Sequence, residues 1–65
     1  MKNNFRVILA KRRKKTSEVA EATGISKSTL IGLYYERTKN PEAETLLKIA
    51  DYLGVTIDEL LTTEE

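Results

Sequence analysis

Apolar residues along the chain recur with the spacing of amphipathic helices. They stand mainly three and four positions apart in five groups, and no stretch alternates as a strand would. The groups are Phe5, Ile8 and Leu9; Val19, Ala20 and Thr23; Leu30 and Leu33; Leu46, Ile49, Ala50 and Leu53; and Ile57, Leu60 and Leu61. Gly24, Asn40-Pro41 and Gly54 separate the last four groups. The pattern predicts an all-α chain of five helices of roughly 5 to 12 residues joined by short turns.

Two of the predicted helix starts share one frame but differ in charge. At the start of the last helix, Val55 supplies the hydrophobic staple and Thr56 the N-cap. The first turn of that helix contains Asp58 and Glu59, whose carboxylates interact favourably with the positive end of the helix dipole. Ile25-Ser26 supplies the same staple and cap, yet the first turn that follows, Lys27-Ser28-Thr29, carries no acid. Either surface positions vary freely there, or this N-terminus must face phosphates and base edges, which a carboxylate would repel.

Length and composition exclude several classes of function. A chain of 65 residues has room for a single domain, predicted to span residues 1–65 with residues 62–65 frayed. It contains no cysteine and no histidine, so we expect no enzyme, no metal and no other cofactor. The lack of disulfides favours a reducing, cytoplasmic compartment. No segment approaches the ~18 apolar residues of a membrane span, and neither a membrane partner nor a small-molecule ligand is indicated.

The formal net charge of +1 conceals two halves of opposite sign. Residues 1–39 carry ten basic side chains against three acids, whereas residues 40–65 carry one basic side chain against seven acids, giving +7 and −6. Such asymmetry favours a polyanionic partner for the first half. A basic run such as residues 11–15 is, on its own, more often a solvent-exposed face than a binding site. Its position in a fold is needed before it can be assigned to a binding surface.

A helix-turn-helix pattern occupies residues 16–35. Within it the small Ala20 allows the two helices to cross closely, Gly24 ends the first helix with a positive φ, and Leu30 and Leu33 anchor the second. With this pattern the chain resembles the Cro/cI-type (Xre-like) helix-turn-helix family of phage and bacterial transcription regulators, as a small stand-alone member.

Three blocks carry this resemblance, in order and at the family's spacing, over residues 4–61. They are Ala20-x3-Gly24-Ile25-Ser26-x2-Thr29-Leu30-x2-Leu33, then Asn40-Pro41-x3-Thr45-Leu46-Leu47-Lys48-Ile49-Ala50, and Leu53-Gly54-Val55-x2-Asp58-Glu59-Leu60-Leu61. The resemblance implies a compact five-helix bundle, the lambda-repressor-like DNA-binding fold.

Two places depart from the usual family pattern. Thr16 stands where the family commonly has Gln, a frequent DNA contact, and the shorter Thr16 either contacts DNA or only caps its helix. Tyr34 replaces the usual Glu, and Glu36 replaces the usual Gly that stops the recognition helix. The second departure predicts a slightly longer recognition helix.

The resemblance implies that the helix beginning near Lys27 lies in the major groove of DNA. The residues expected at base edges are Lys27, Ser28, Thr29, Ile31 and Gly32, and Thr29 is as well explained by support of the cap. The residues expected at phosphates are Lys14, Lys15, Thr16, Ser17, Ser26, Tyr35, Arg37, Thr38, Lys39 and Asn40. Tyr34 and Tyr52 are expected at the half-buried edge of the core.

The resemblance further implies a homodimer, because members of the family usually bind two half-sites. Its candidate contacts are Tyr52, Ile57 and Leu61, although ordinary core packing explains Ile57 at least as well and the edge of the core explains Tyr52 better. The function predicted from the sequence is a sequence-specific double-stranded-DNA-binding regulator of transcription, acting as a repressor, in a prokaryote or phage. The alternative is a helix-turn-helix-derived protein-interaction module, such as an antitoxin or anti-repressor subunit, which would bind a protein partner in place of DNA.

Overall fold

Residues 2–62, the part of the chain that the computed structural model describes, form five helices and no strand. The helices are α1 (Phe5–Arg12), α2 (Thr16–Thr23), α3 (Lys27–Tyr34), α4 (Ala43–Leu53) and α5 (Ile57–Leu61). Their number and order follow the apolar groups, so the all-α fold class is confirmed.

All five helices contribute to one core. Its fully buried side chains are Phe5, Leu9, Val19, Leu30, Leu33, Ile49 and Leu60. Helix α2 packs against α3 and α4, while α1 contacts both α3 and α5. The predicted apolar groups therefore supply the core, with Ala20, Ile57 and Leu61 only partly buried at its edge.

Four helices are followed by a residue with left-handed backbone. Gly24 (φ 75°) and Gly54 (φ 70°) end α2 and α4, as their positions in the sequence predict. Arg13 (φ 54°) follows α1, and Glu36 (φ 58°) lies two residues beyond α3. This conformation is unfavourable by roughly 1–2 kcal/mol for a residue that has a side chain. The backbone is therefore strained at Arg13 and Glu36.

Helix α3 ends at Tyr34, and the expectation of a longer recognition helix is wrong. Arg37 N donates to Gly32 O at 2.8 Å and Glu36 N donates to Leu33 O at 3.1 Å. These paired bonds form the Schellman closure that usually contains glycine. Glu36 therefore adopts the backbone conformation of the glycine that it replaces.

Helix α2 begins without a cap from Thr16, contrary to one of the two sequence-based explanations for that residue. Thr16 is the first helical residue, and Lys15 holds the extended cap position with φ −108° and ψ 154°. Glu18 Oε1 accepts a hydrogen bond from Lys15 N at 3.3 Å. The half-buried Thr16 is thus left as a surface contact candidate.

Two asparagines ahead of α1 attach its start to α3 and α5. Asn3 and Asn4 are 7% and 8% exposed. Asn3 Nδ2 donates to Leu33 O at 2.9 Å, and Asn3 Oδ1 accepts from Phe5 N at 2.9 Å. Asn4 N donates to Leu60 O at 2.7 Å. The burial of these two residues was not predicted, because asparagine side chains are mostly exposed to solvent.

Thr62, at the start of the expected frayed tail, is held against α5. Its backbone N and its Oγ1 donate to Asp58 O at 2.9 and 2.6 Å. The remaining tail positions, 63–65, lie outside the described residues.

Candidate nucleic-acid interface

Ser26 caps α3 as predicted from the sequence. Its Oγ accepts from Thr29 N at 3.3 Å and lies 2.7 Å from Thr29 Oγ1 and 3.4 Å from Ser28 Oγ. Thr29 therefore supports the cap, while all three hydroxyls stay exposed beside Lys27. Hydroxyls, backbone N–H groups and one cation at a helix N-terminus form a surface that favours an anionic partner.

The start of α5 has the same cap geometry and the opposite charge. Thr56 Oγ1 accepts from Glu59 N at 3.0 Å, and Asp58 and Glu59 occupy the first turn. Because the two caps match, the missing acid at α3 is not a consequence of a different backbone geometry. The contrast between these two helix starts is thus a difference in surface chemistry alone.

The faces of α3 separate buried from open residues. Leu30 and Leu33 are 0% and 2% exposed. Lys27 and Ser28 precede Ile31 by four and three positions, so all three lie on one side of the helix. They are exposed, Ile31 by 37% of its surface. The structure therefore places these three predicted base contacts on one open face, with Thr29 adjoining at the cap.

Gly32, the fifth predicted base contact, faces the chain itself. A Cβ added at Gly32 would lie 2.8 Å from Thr38 Oγ1, and Gly32 O accepts bonds from Arg37 N and Thr38 N at 2.8 and 3.3 Å. A side chain at Gly32 would require Thr38 to shift, because the loop after α3 returns across the helix at this point. We therefore leave Gly32 out of the candidate interface.

A groove between α1 and α3 gathers several predicted phosphate contacts. Its lining residues are Leu9, Ala10, Lys14, Lys15, Thr16, Ile31, Tyr34 and Tyr35. Tyr35 is 58% exposed, and the Arg37 guanidinium carbon stands 5.4 Å from its ring centroid. This α1–α3 groove therefore places cations, a phenol and the open face of α3 side by side; the exposed Ser17 follows Thr16 on α2.

Lys14 already has two neighbours within this fold. Its Nζ lies 3.8 Å from Glu18 Oε2 and 5.8 Å from the ring centroid of Tyr52. Lys14 and Glu18 are both about half exposed, with 41% and 44% side-chain exposure, so the pair is solvent-screened. Lys14 is thus a weaker phosphate candidate than the exposed Lys15.

A second groove, between α3 and α4, borders the other side of the α3 start. It brings Ser26, Thr29, Thr38 and Asn40 together, with the exposed Lys39 in the same loop. The lining residues further include two acids, Glu42 and Glu44, and Lys48, whose Nζ lies 3.4 Å from Glu44 Oε1. The sequence did not predict carboxylates so close to the start of α3, because the charge asymmetry favoured a polyanionic partner for the basic half alone.

The basic run is divided between two surfaces. Lys14 and Lys15 line the α1–α3 groove, whereas Lys11 and Arg12 line a third groove, between α1 and α5, with Asp58 and Glu59. The turn at Arg13 produces this division, because its left-handed backbone redirects the chain between the two pairs. The +7 and −6 halves of the sequence therefore do not correspond to two separate sides of the molecule.

The predicted dimer residues lie at the edge of the core. Tyr52, Ile57 and Leu61 are half-buried and pack against the core cluster. Tyr34 is half-buried as well, with its ring 6.4 Å from that of Phe5 in an edge-to-face arrangement. Leu47 is a large apolar side chain that the sequence analysis did not single out, and it is 57% exposed on α4.

Neither a metal site nor a membrane span is found within residues 2–62. No group of acidic side chains there has the arrangement of a metal site. None of the five helices is long and apolar enough to cross a membrane.

Helices α2 and α3 pack on a common core, and α3, the second of the pair, has a capped start and an open polar face. This arrangement is that of a helix-turn-helix DNA-binding domain. The family is shown by sequence: the chain belongs to the Cro/C1-type HTH DNA-binding domain family, whose model matches residues 4–65. No curated protein sequence matches the chain significantly.

The solved structures that are similar to this chain include two bacterial proteins. One is a Bacteroides fragilis protein described as DNA-binding; it is 27% identical, with a TM-score of 0.81, over 92% of this chain and 95% of its own. The other, a transcriptional regulator from Listeria innocua, is 26% identical with a TM-score of 0.68. That match covers 100% of this chain and 64% of the Listeria chain.

Proposed function

We propose that this chain is a cytoplasmic, sequence-specific regulator of transcription that binds double-stranded DNA and acts as a repressor. In this proposal α3 enters the major groove with Lys27, Ser28, Thr29 and Ile31 against base edges. The description of the Listeria innocua protein as a transcriptional regulator supports the regulatory role. The repressor assignment rests on the resemblance to Cro/cI-type regulators.

The observation that carries the proposal is the contrast between the starts of α3 and α5. Both have a hydroxyl cap with the same bond to the third residue, but only α5 adds carboxylates. A carboxylate in the first turn would stabilise α3 by ~0.3–1 kcal/mol. An N-terminus that lacks it has surface chemistry suited to a polyanion, and in a helix-turn-helix that polyanion is DNA.

Phosphate contacts are proposed on both sides of the open face of α3. Along the α1–α3 groove they come from Lys14, Lys15, Thr16, Ser17 and Tyr35. From the cap and the following loop they come from Ser26, Arg37, Thr38, Lys39 and Asn40. About six to ten such contacts would make binding steeply dependent on salt concentration.

A homodimer is part of the proposal, because one α3 covers only a short stretch of base pairs. Two copies would read half-sites about 34 Å apart along the duplex. The candidate contacts between the two copies are Tyr52, Ile57 and Leu61. They are half-buried, so only part of each side chain is accessible to a second copy.

Selection of bound sequences from a random duplex pool tests the proposal most directly. We expect a two-fold symmetric consensus whose half-site centres are one helical turn apart. Ser28→Ala carried through the same selection should change the consensus, whereas Lys39→Ala should retain it with weaker binding to every duplex. Recovery of no preferred sequence, together with salt-independent retention of a protein partner, would favour the interaction-module alternative.

A further inference from the structure

We propose that Asn3 is a positioning residue for DNA recognition: its side-chain amide fixes the C-terminal end of α3 and thereby the angle of the helix's open face. This inference rests on the proposed function, since a fixed angle matters only if α3 reads bases. Asn3 lies outside the helix-turn-helix itself and belongs to none of the predicted contact sets.

The bond from Asn3 acts on the last turn of α3. Asn3 Nδ2 donates to Leu33 O at 2.9 Å, across 30 positions of sequence and within the buried interior. Leu33 O also accepts from Glu36 N at 3.1 Å, so the same carbonyl receives the helix closure and the amide from the chain start. A buried bond between segments so far apart restrains the position of α3 relative to α1, which helix-internal bonds cannot do.

The amide is itself held on a rigid base. Asn3 Oδ1 accepts from Phe5 N at 2.9 Å, and Phe5 is fully buried with its ring against Tyr34 in the last turn of α3. Asn4 N donates to Leu60 O at 2.7 Å, which attaches the same segment to α5. Asn3 therefore links the end of α3 to the start of α1, and the adjoining Asn4 connects the same segment to α5.

The geometry makes the distant end of α3 sensitive to this bond. Helix α3 is eight residues long, about 12 Å at 1.5 Å per residue. A small tilt at Leu33 consequently moves Lys27 and Ser28 sideways, whereas readout groups must be held to within about 0.5 Å and 10–20°. Loss of the bond should therefore reduce discrimination between sequences more than it reduces general attraction to phosphates.

Asn4 supplies a matched control next in sequence. It is 8% exposed, and its Nδ2 donates to Glu59 O at 3.4 Å, on α5. An equivalent change at Asn4 removes a side-chain amide of the same type from the same segment without touching α3. Any effect of general destabilisation should then be common to both positions.

Three variants separate the possible effects. Asn3→Asp keeps an acceptor for Phe5 N, but its ionised form cannot donate to Leu33 O, and its protonated form can. Asn3→Ser retains a hydroxyl near Phe5 N, is too short to reach Leu33 O, and buries no charge. Asn4→Asp is the control, and each variant is measured at a temperature where circular dichroism shows it folded.

The measurement is the ratio of dissociation constants for a random duplex and the selected duplex. We expect Asn3→Ser, and Asn3→Asp at pH 7.5, to lower this ratio at least about fivefold, within the range of one base contact. Burial beside the Leu33 carbonyl should raise the pKa of the new carboxyl group, so Asn3→Asp should recover the ratio relative to the unchanged chain as the pH falls towards 5. Asn4→Asp should retain it. An unchanged ratio in both Asn3 variants, or an equal loss in Asn4→Asp, would overturn the inference.

Amide hydrogen exchange distinguishes this inference from the proposed function. Exchange at Glu36 N and Arg37 N, which close α3, should be faster in Asn3→Ser than in Asn4→Asp. If the original chain shows no sequence preference in DNA binding, the proposed function fails. If the exchange rates of Asn3→Ser equal those of the original chain, Asn3 does not restrain α3.

Discussion

Thr38 occupies the space that a side chain at Gly32 would need, because a Cβ added at Gly32 would lie 2.8 Å from Thr38 Oγ1. Gly32 stands inside α3, where glycine is unfavourable relative to alanine by roughly 0.5–1 kcal/mol. Thr38 N donates to Gly32 O at 3.3 Å, so the loop after α3 is bonded to the same residue. The loop, with its proposed phosphate contacts, therefore leaves no room for a side chain at position 32 unless Thr38 shifts.

We expect Gly32→Ala to destabilise the chain despite its better helix propensity, because the β-branched Thr38 has few alternative rotamers. In a Thr38→Ala background the same change should stabilise the fold by about 0.5–1 kcal/mol. Thermal unfolding of the four chains of this double-mutant cycle measures the coupling. Equal effects of Gly32→Ala in both backgrounds would show that Thr38 does not restrict position 32.

Glu36 offers a second prediction, because its φ of 58° is disfavoured for any residue with a side chain. Glu36→Gly should stabilise the chain by about 0.5–1 kcal/mol, since the relief of strain exceeds the added entropy of the unfolded chain. At this size the melting temperature should rise by about 4–8 °C per kcal/mol. Glu36→Ala is the control: it removes the charge, keeps the strain and should not raise the melting temperature.

The sequence predicted most of the fold because its signals are local. Gly24 and Gly54 mark two helix ends, and the apolar spacing identifies the buried faces of α3 and α4. Glu36 could not be identified in this way. Its left-handed backbone belongs to the closure of α3 on Gly32 and Leu33, and a glutamate does not signal that conformation as the family's usual glycine would.

The candidate site was predictable in part, for the same physical reason. The Ser26 cap and the missing acid beside it are local features, so Lys27, Ser28 and Ile31 could be assigned to one open face. The position of Gly32 could not be assigned, because the space beside it is filled by Thr38, which lies in the following loop. The burial of Asn3 was likewise hidden, since its partner lies 30 positions away.

A carboxylate placed at the start of α3 should have opposite effects on folding and on DNA binding. Ser28→Asp adds an acid to the first turn and should stabilise the helix by ~0.3–1 kcal/mol through the dipole. The same charge would face the DNA phosphates and should weaken binding to every duplex. Melting temperature and gel-shift affinity measure the two effects, with Ser28→Ala as the uncharged control. A gain in both quantities would contradict the proposed orientation of α3.

The division of the basic run gives the last prediction. Lys15 borders the open face of α3, whereas Arg12 lines the groove with Asp58 and Glu59, so the two cations should contribute unequally to DNA binding. Lys15→Ala should reduce the magnitude of the slope of log K against log salt by about 1, the amount expected for one lost phosphate contact. Arg12→Ala removes the same formal charge and should leave the slope nearly unchanged. Equal slopes in the two variants would mean that the net charge of the run, rather than its placement on two surfaces, determines the affinity.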